Sequence, residues 1–163
     1  MEKLTQNFTL EEMTRSETAE QMGIVNTPDI GHIDNLRNLC ANVLEPLRAY
    51  MKKPLQVNSG FRCPDLNKAV GGASNSQHMK GEAADIACRN LKEARKMLEF
   101  VAAELVFDQA FAETNGKSFW LHVSYVSPGM SNRCTVKLLQ HKRYPHYYQP
   151  FKIIVSWIYF AES

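Results

Sequence analysis

Apolar residues recur at helical spacing through the first third of the chain and at alternate positions through its middle, a change of period that predicts helices first and a sheet after them. Thr9-Leu10-Glu11-Glu12 has the form of a capping box, so a short helix opens there. Ser16 caps a second helix that stops at Gly23, and Thr27-Pro28 begins a third. That third helix carries Ile30, Ile33, Leu36, Cys40, Val43, Leu44 and Leu47 along one stripe, the face a core would cover. Pro46 falls inside it and predicts a kink or a restart, since proline has no N–H and its ring crowds the preceding turn.

Residues 55–58 alternate as a short first strand and deliver Ser59-Gly60-Phe61-Arg62 at their end. One or two helical turns follow over 64–70, broken by Gly71-Gly72. A strand over 83–88 leads to a helix over about 91–105, with Asn90 as cap and Glu93 closing the box. Strands over 107–113 and 118–126 then form a hairpin, for which Asn115-Gly116 predicts a two-residue turn. In that register Ser118 faces Glu113, Trp120 faces Phe111 and His122 faces Gln109, all six on one side of the sheet. The expected fold is α+β: a small antiparallel sheet with its functional groups on one face and helices packed on the other.

Composition narrows the picture. The chain has 163 residues, 44% of them hydrophobic, enough for one sizeable core and too few for two comfortable domains. Its 19 basic and 17 acidic side chains nearly balance, and no long basic stripe points to nucleic acid as a partner. No apolar run reaches the roughly 18 residues of a membrane span. Residues 1–7 lack the apolar stretch of a secretory signal peptide, so the expectation is a chain made soluble in the cytoplasm. Cys40, Cys63, Cys88 and Cys134 form no C-x-x-C pair, which disfavours a disulfide framework and a thiolate metal site; Cys63 is expected as a small filler.

The chemistry concentrates in Ser76-Gln77-His78-Met79-Lys80-Gly81-Glu82-Ala83-Ala84-Asp85, where an imidazole and a carboxylate stand seven residues apart across one glycine turn. Gly81 permits a tight reversal, and the small Ala83 and Ala84 let His78 and Asp85 converge. A second histidine, His122, lies in the strand-like run Trp120-Leu121-His122-Val123-Ser124-Tyr125. Taken singly, His78 reads as a solvated loop residue, Asp85 as a strand end and His122 as a satisfied core histidine. Together they supply two imidazole nitrogens and one carboxylate oxygen, the three protein ligands of a hydrolytic zinc site whose fourth position is left for water. Zinc lowers the pKa of that water toward neutrality and makes it a nucleophile.

The pattern Ser76-x-His78-x-x-Gly81-x-Ala83-x-Asp85, followed by Trp120-x-His122, resembles the zinc D-alanyl-D-alanine carboxypeptidase and L-alanyl-D-glutamate peptidase family of peptidoglycan metallopeptidases. Ser59-Gly60-Phe61-Arg62 is similar to that family's Ser-Gly-Tyr-Arg, and Leu66-Asn67-x-Ala69-Val70-Gly71-Gly72 to the segment joining its arginine to the first ligand. The likeness runs from about Phe8 to about Ser127. It implies a hedgehog-like fold, zinc on His78, Asp85 and His122, and a peptidoglycan peptide substrate cut at its L-Ala-D-Glu or its terminal D-Ala-D-Ala bond. Arg62 would hold the carbonyl oxygen as it gains charge, or grip a substrate carboxylate. Ser76 would orient His78 from within the ligand loop, while Trp120 and Tyr125 wall the cleft or belong to the core. If the substrate is cell wall, release or export by another agent has to bring the protein to it.

The general base is less direct. Several branches of the family carry an acid three positions before the second histidine, where this chain has Phe119. Glu113 is the nearest candidate, on the correct face but four pairs along, about 13 Å in an ideal ladder, a gap that a bulge or a wider loop would shorten. A glutamate on one arm, with a histidine followed by Val-Ser on the other, resembles the zinc site of hedgehog signalling domains; Glu82 and Asp108 stand behind Glu113. The missing acid keeps a second reading open, a binding module in which zinc is structural and a peptide or wall fragment docks without turnover. Residues 1–127 are expected to form the zinc peptidase domain. Residues 128–163 are a tail with a basic, aromatic stretch over 137–148 and an apolar run over 153–160, suited to edge pairing or a homodimer contact.

Overall fold

The computed structural model describes residues 2–127 and 132–141. The apolar run over 153–160 and any dimer contact through it lie outside the described residues, as does the basic stretch past 141.

Helix α1 (Leu10–Thr14) opens on the expected box, with Thr9 and Glu12 exchanging side-chain and backbone hydrogen bonds. Helix α2 (Glu17–Met22) starts at Ser16 and ends on Gly23 in the left-handed region. Helix α3 (Ile30–Leu39) begins later than Thr27-Pro28 suggested. Asp29 takes the cap, because its carboxylate accepts the His32 N–H at 2.9 Å while its own N–H reaches His32 Nδ1 at 3.3 Å. Ile30 consequently sits on the first turn, 79% exposed, and drops out of the core stripe.

Pro46 stands in the first turn where the α-helix restarts, as expected. The chain widens into one π turn over Cys40–Leu44 and runs straight into α4 (Glu45–Met51), whose second residue is Pro46. Glu45 N–H bonds to the Cys40 carbonyl five residues back, so the ladder absorbs the missing donor just upstream of the ring.

Strand β1 (Val57–Ser59), helix α5 (Pro64–Ala69), strand β2 (Ala83–Cys88), helix α6 (Leu91–Glu104) and strands β3 (Gln109–Thr114), β4 (Phe119–Ser124) and β5 (Thr135–His141) complete the described elements. Asn90 caps α6, but Glu93 does not close a box on it. Its carboxylate instead accepts from the Arg89 N–H at 2.8 Å and from Lys53 Nζ at 2.5 Å, tying α6 to the segment before β1.

The five strands lie in the order β1-β2-β4-β3-β5. The first three junctions are antiparallel, as expected, while β5 joins β3 in parallel and carries the sheet past residue 127. Side chains alternate cleanly across it. Ala84, Ile86, Ala110, Ala112, Leu121 and Val123 turn inward and are buried, meeting Met97, Leu98 and Val101 of α6 and Leu36, Leu39, Val43, Leu44 and Leu47 of the α3–α4 rod. The residues between them, Asp85, His122, Phe111 and Glu113, face the other way. No described helix is long and apolar enough to cross a membrane.

Candidate metal centre

Asp85 on β2 pairs directly with His122 on β4, which pairs with Phe111 on β3. Both predicted strand ligands thus stand side by side on the open face of a sheet whose back is sealed by the core. His78 arrives from the loop before β2, on a single 3-10 turn over Gln77–Lys80. Gly81 ends that turn at φ +70°, with the His32 carbonyl 2.5 Å from where a Cβ would be, so glycine is required twice over.

The loop is held from several sides. Asn35 of α3 donates to the Lys80 carbonyl at 2.9 Å, Gln77 Nε2 donates to Asp108 at 3.0 Å, and the Arg62 N–H donates to the His78 carbonyl at 3.1 Å. The ring of His78 is aimed by Gly60, whose carbonyl lies 2.7 Å from Nδ1. A carbonyl can only accept, so Nδ1 carries the proton and Nε2 is left as the ligand atom. Gly60 can sit so close because it has no side chain: a Cβ there would come within 2.3 Å of the Met13 carbonyl oxygen.

His78 Nε2 lies 3.3 Å from Asp85 Oδ2, and His122 Nδ1 lies 2.9 Å from Asp85 Oδ1. Ligands about 2.0–2.2 Å from one tetrahedral ion stand roughly 3.4 Å apart, so these donors fit a shared metal. One ligand atom from each of the three residues can be chosen with all of them within 4.8 Å of one another. Burial works against a charge on Asp85, yet its contacts with the imidazoles of His78 and His122 hold its carboxyl below the usual carboxylate range. Arg62 adds a further tie, Nη2 to Asp85 Oδ2 at 2.7 Å, while its Nε bonds to Ser59 Oγ at 2.7 Å.

A cleft of about 440 Å³ opens over these groups, lined among others by Arg62, Ser76, His78, Asp85, Glu113, Trp120 and His122. Glu113 is nearer than the two-residue turn implied. Asn115 Oδ1 captures the N–H groups of Lys117 and Ser118 at 3.0 and 2.8 Å, so the loop spans four residues and Glu113 pairs with Trp120. The register moves by two, which keeps the face and removes half the distance: Glu113 is now the diagonal neighbour of His122, about 7–8 Å away by sheet geometry. Trp120 Nε1 donates to Glu113 Oε2 at 2.6 Å.

Other candidates fall differently. Asp108 is buried and bound by Arg133 and Gln77, and Glu82 is not among the residues lining the cleft. The Ser76 backbone braces the ligand turn, its carbonyl accepting from the Met79 N–H at 3.1 Å, whereas the orientation of His78 comes from Gly60. Tyr125 is buried in the core, and Cys63 caps α5 through its sulfur. Sequence reasoning passed over Gly60 and Arg133, because a backbone carbonyl has no residue signature and Arg133 belongs to no motif.

A stretch of 34 residues, 21% of this chain, is 62% identical to the zinc D-Ala-D-Ala carboxypeptidase of Streptomyces albus G, and it spans only 13% of that protein's length. The metal that suits this donor set and this likeness is zinc. Residues 6–124 match the Peptidase M15 family, a span that takes in His78, Asp85 and His122 and four of the five strands; the chain belongs to that family.

Proposed function

We propose that this protein is a zinc peptidase that hydrolyses peptide bonds in bacterial peptidoglycan stem peptides, as a D,D-carboxypeptidase or an L,D-endopeptidase. The observation that carries the reading is one cleft lined at once by a zinc ligand set, a carboxylate and a guanidinium. Bound zinc supplies Lewis acidity, polarising the scissile carbonyl and easing deprotonation of water. Glu113, fixed at Oε2 by Trp120, has Oε1 to take a proton from the attacking water and return it to the leaving amine. Arg62 is anchored by Ser59 and Asp85 through Nε and Nη2, so Nη1 remains to meet the oxygen on which charge develops.

The test is turnover of purified muropeptides by wild type and by Glu113→Ala, with zinc stoichiometry measured on both. Product from wild type, with zinc retained and product lost in the variant, supports the peptidase. The rival is a binding module with structural zinc, favoured by the absence of an acid at Phe119. Zinc retained, muropeptide bound and no product from wild type would establish that rival instead.

A further inference from the structure

Arg133 lies beyond the family match, which ends at residue 124, yet it lines the same cleft as the three ligands. Its guanidinium is fixed from behind. Asp108, 1% exposed, accepts from Arg133 Nε at 2.9 Å, from Nη2 at 2.6 Å and from the Arg133 N–H at 2.9 Å. The same carboxylate accepts from Gln77, the neighbour of His78, so this arginine is braced against the ligand loop. The side chain is nonetheless 57% exposed, and Nη1 has no partner among the described residues. One edge of the fork is spent on a buried anchor and the other is open to the cleft.

A second cation, Lys137, stands further along on β5. Ser59, Asp85, His122, Phe111 and Lys137 occupy one row across the sheet, and Lys137 Nζ lies 5.5 Å from the centre of the Phe111 ring. Two strand spacings separate Lys137 from His122, about 10 Å. Of the carboxylates of the cleft, Asp85 is engaged by Arg62 and the histidines, and Glu113 is bonded to Trp120 through one of its two oxygens. Arg133 offers an uncommitted positive donor to whatever peptide crosses the cleft.

We propose that Arg133, preset by Asp108, is a subsite that recognises a free carboxylate of the peptide crossing the cleft. A guanidinium held in place pays little ordering cost when it meets a planar carboxylate, and its fork matches that group as an ammonium cannot. The inference rests on the peptidase reading for its substrate and deepens it: the protein prefers acidic stem peptides to those whose carboxylates are amidated.

Three pentapeptides test it: L-Ala-γ-D-Glu-L-Lys-D-Ala-D-Ala with both carboxylates free, with the glutamate carboxylate amidated, and with the C-terminus amidated. For the zinc-loaded protein, kcat/KM for the free acid over each amide is read in wild type, Arg133→Ala, Arg133→Lys and Asp108→Asn. A ratio taken within one variant cancels any loss of folded protein. A charge-assisted hydrogen bond corresponds to a preference of roughly 10–100-fold. We expect that ratio in wild type for one of the two amides, which identifies the carboxylate, a ratio near one in Arg133→Ala, and intermediate ratios in the other two variants. A wild-type ratio near one for both amides, or a preference that Arg133→Ala keeps, overturns the subsite. If wild type cuts none of the three, the peptidase reading falls, and the same ratios taken from calorimetric Kd values decide the subsite by the same criteria.

Discussion

Trp120 and Glu113 face each other across the β3–β4 hairpin, and the indole N–H of one donates to the carboxylate of the other at 2.6 Å. The contact sets one oxygen of Glu113 and leaves its partner to the cleft. Removing the carboxylate should cost more than removing its holder. We expect Glu113→Gln to lower kcat by about 10²–10⁴-fold, the usual contribution of a general base. Trp120→Phe should lower kcat by about tenfold, the worth of one charge-assisted hydrogen bond, while zinc content stays at wild-type level. Steady-state kinetics with metal analysis on both variants checks the order; equal losses would show that Trp120 does more than hold the glutamate.

Gly60 should tolerate no side chain. Gly60→Ala drives a Cβ to 2.3 Å from the Met13 carbonyl oxygen, and the strand end that aims His78 must shift. We expect a loss of about 1–3 kcal/mol in stability, as for other overpacked sites. Zinc affinity should fall about 10–100-fold, as when other groups that orient metal ligands are disturbed. Urea unfolding and competition with a chromogenic chelator read the two effects separately.

Chelation should abolish turnover without unfolding the protein. Asp85 and His122 are set by the ladder between β2 and β4, and the core lies on the opposite face of the sheet. Dialysis against a strong chelator is expected to leave far-UV circular dichroism unchanged, and readdition of zinc should restore activity. Collapse of the spectrum would mean that the metal organises the sheet.

Glu93 makes stability depend on acid. Burial opposes its charge, but the Arg89 N–H, the Lys53 ammonium and the Arg89 guanidinium outweigh that and bring the carboxyl from its ordinary 4.5 to about 2. A folded pKa below the unfolded one gives stabilisation that is complete above about pH 4.5 and is lost as pH falls toward 2. The stability gap between wild type and Glu93→Gln, from urea unfolding, should therefore be widest near neutrality and narrow steadily below pH 4.5. A gap independent of pH would mean that the ion pairs of Glu93 contribute nothing through its charge.

The convergence of His78, Asp85 and His122 was legible because each rests on local syntax: a glycine turn with small residues after it, and a histidine breaking an apolar strand. Strand β2 and the caps at Thr9, Ser16 and Asn90 were legible for the same reason. The hairpin register was not, since Asn-Gly suits a two-residue turn equally well and only the Asn115 carboxamide reaching Lys117 and Ser118 selects the longer one. Pro46 foretold the restart of the helix but not the π turn ahead of it, since nothing local in the sequence separates a widened turn from an α turn. The parallel partner of β3 and the bracing of Arg133 are long-range pairings, and no window of sequence contains both halves of either.

The seam between β3 and β5 changes how the end of the chain should be regarded. Trimming this protein after residue 127 would strip the β5 partners from the strand that bears Glu113 and turn an interior strand into a naked edge, open to self-association. What resembles a dispensable appendage in the primary structure is a splint for the strand that carries Glu113.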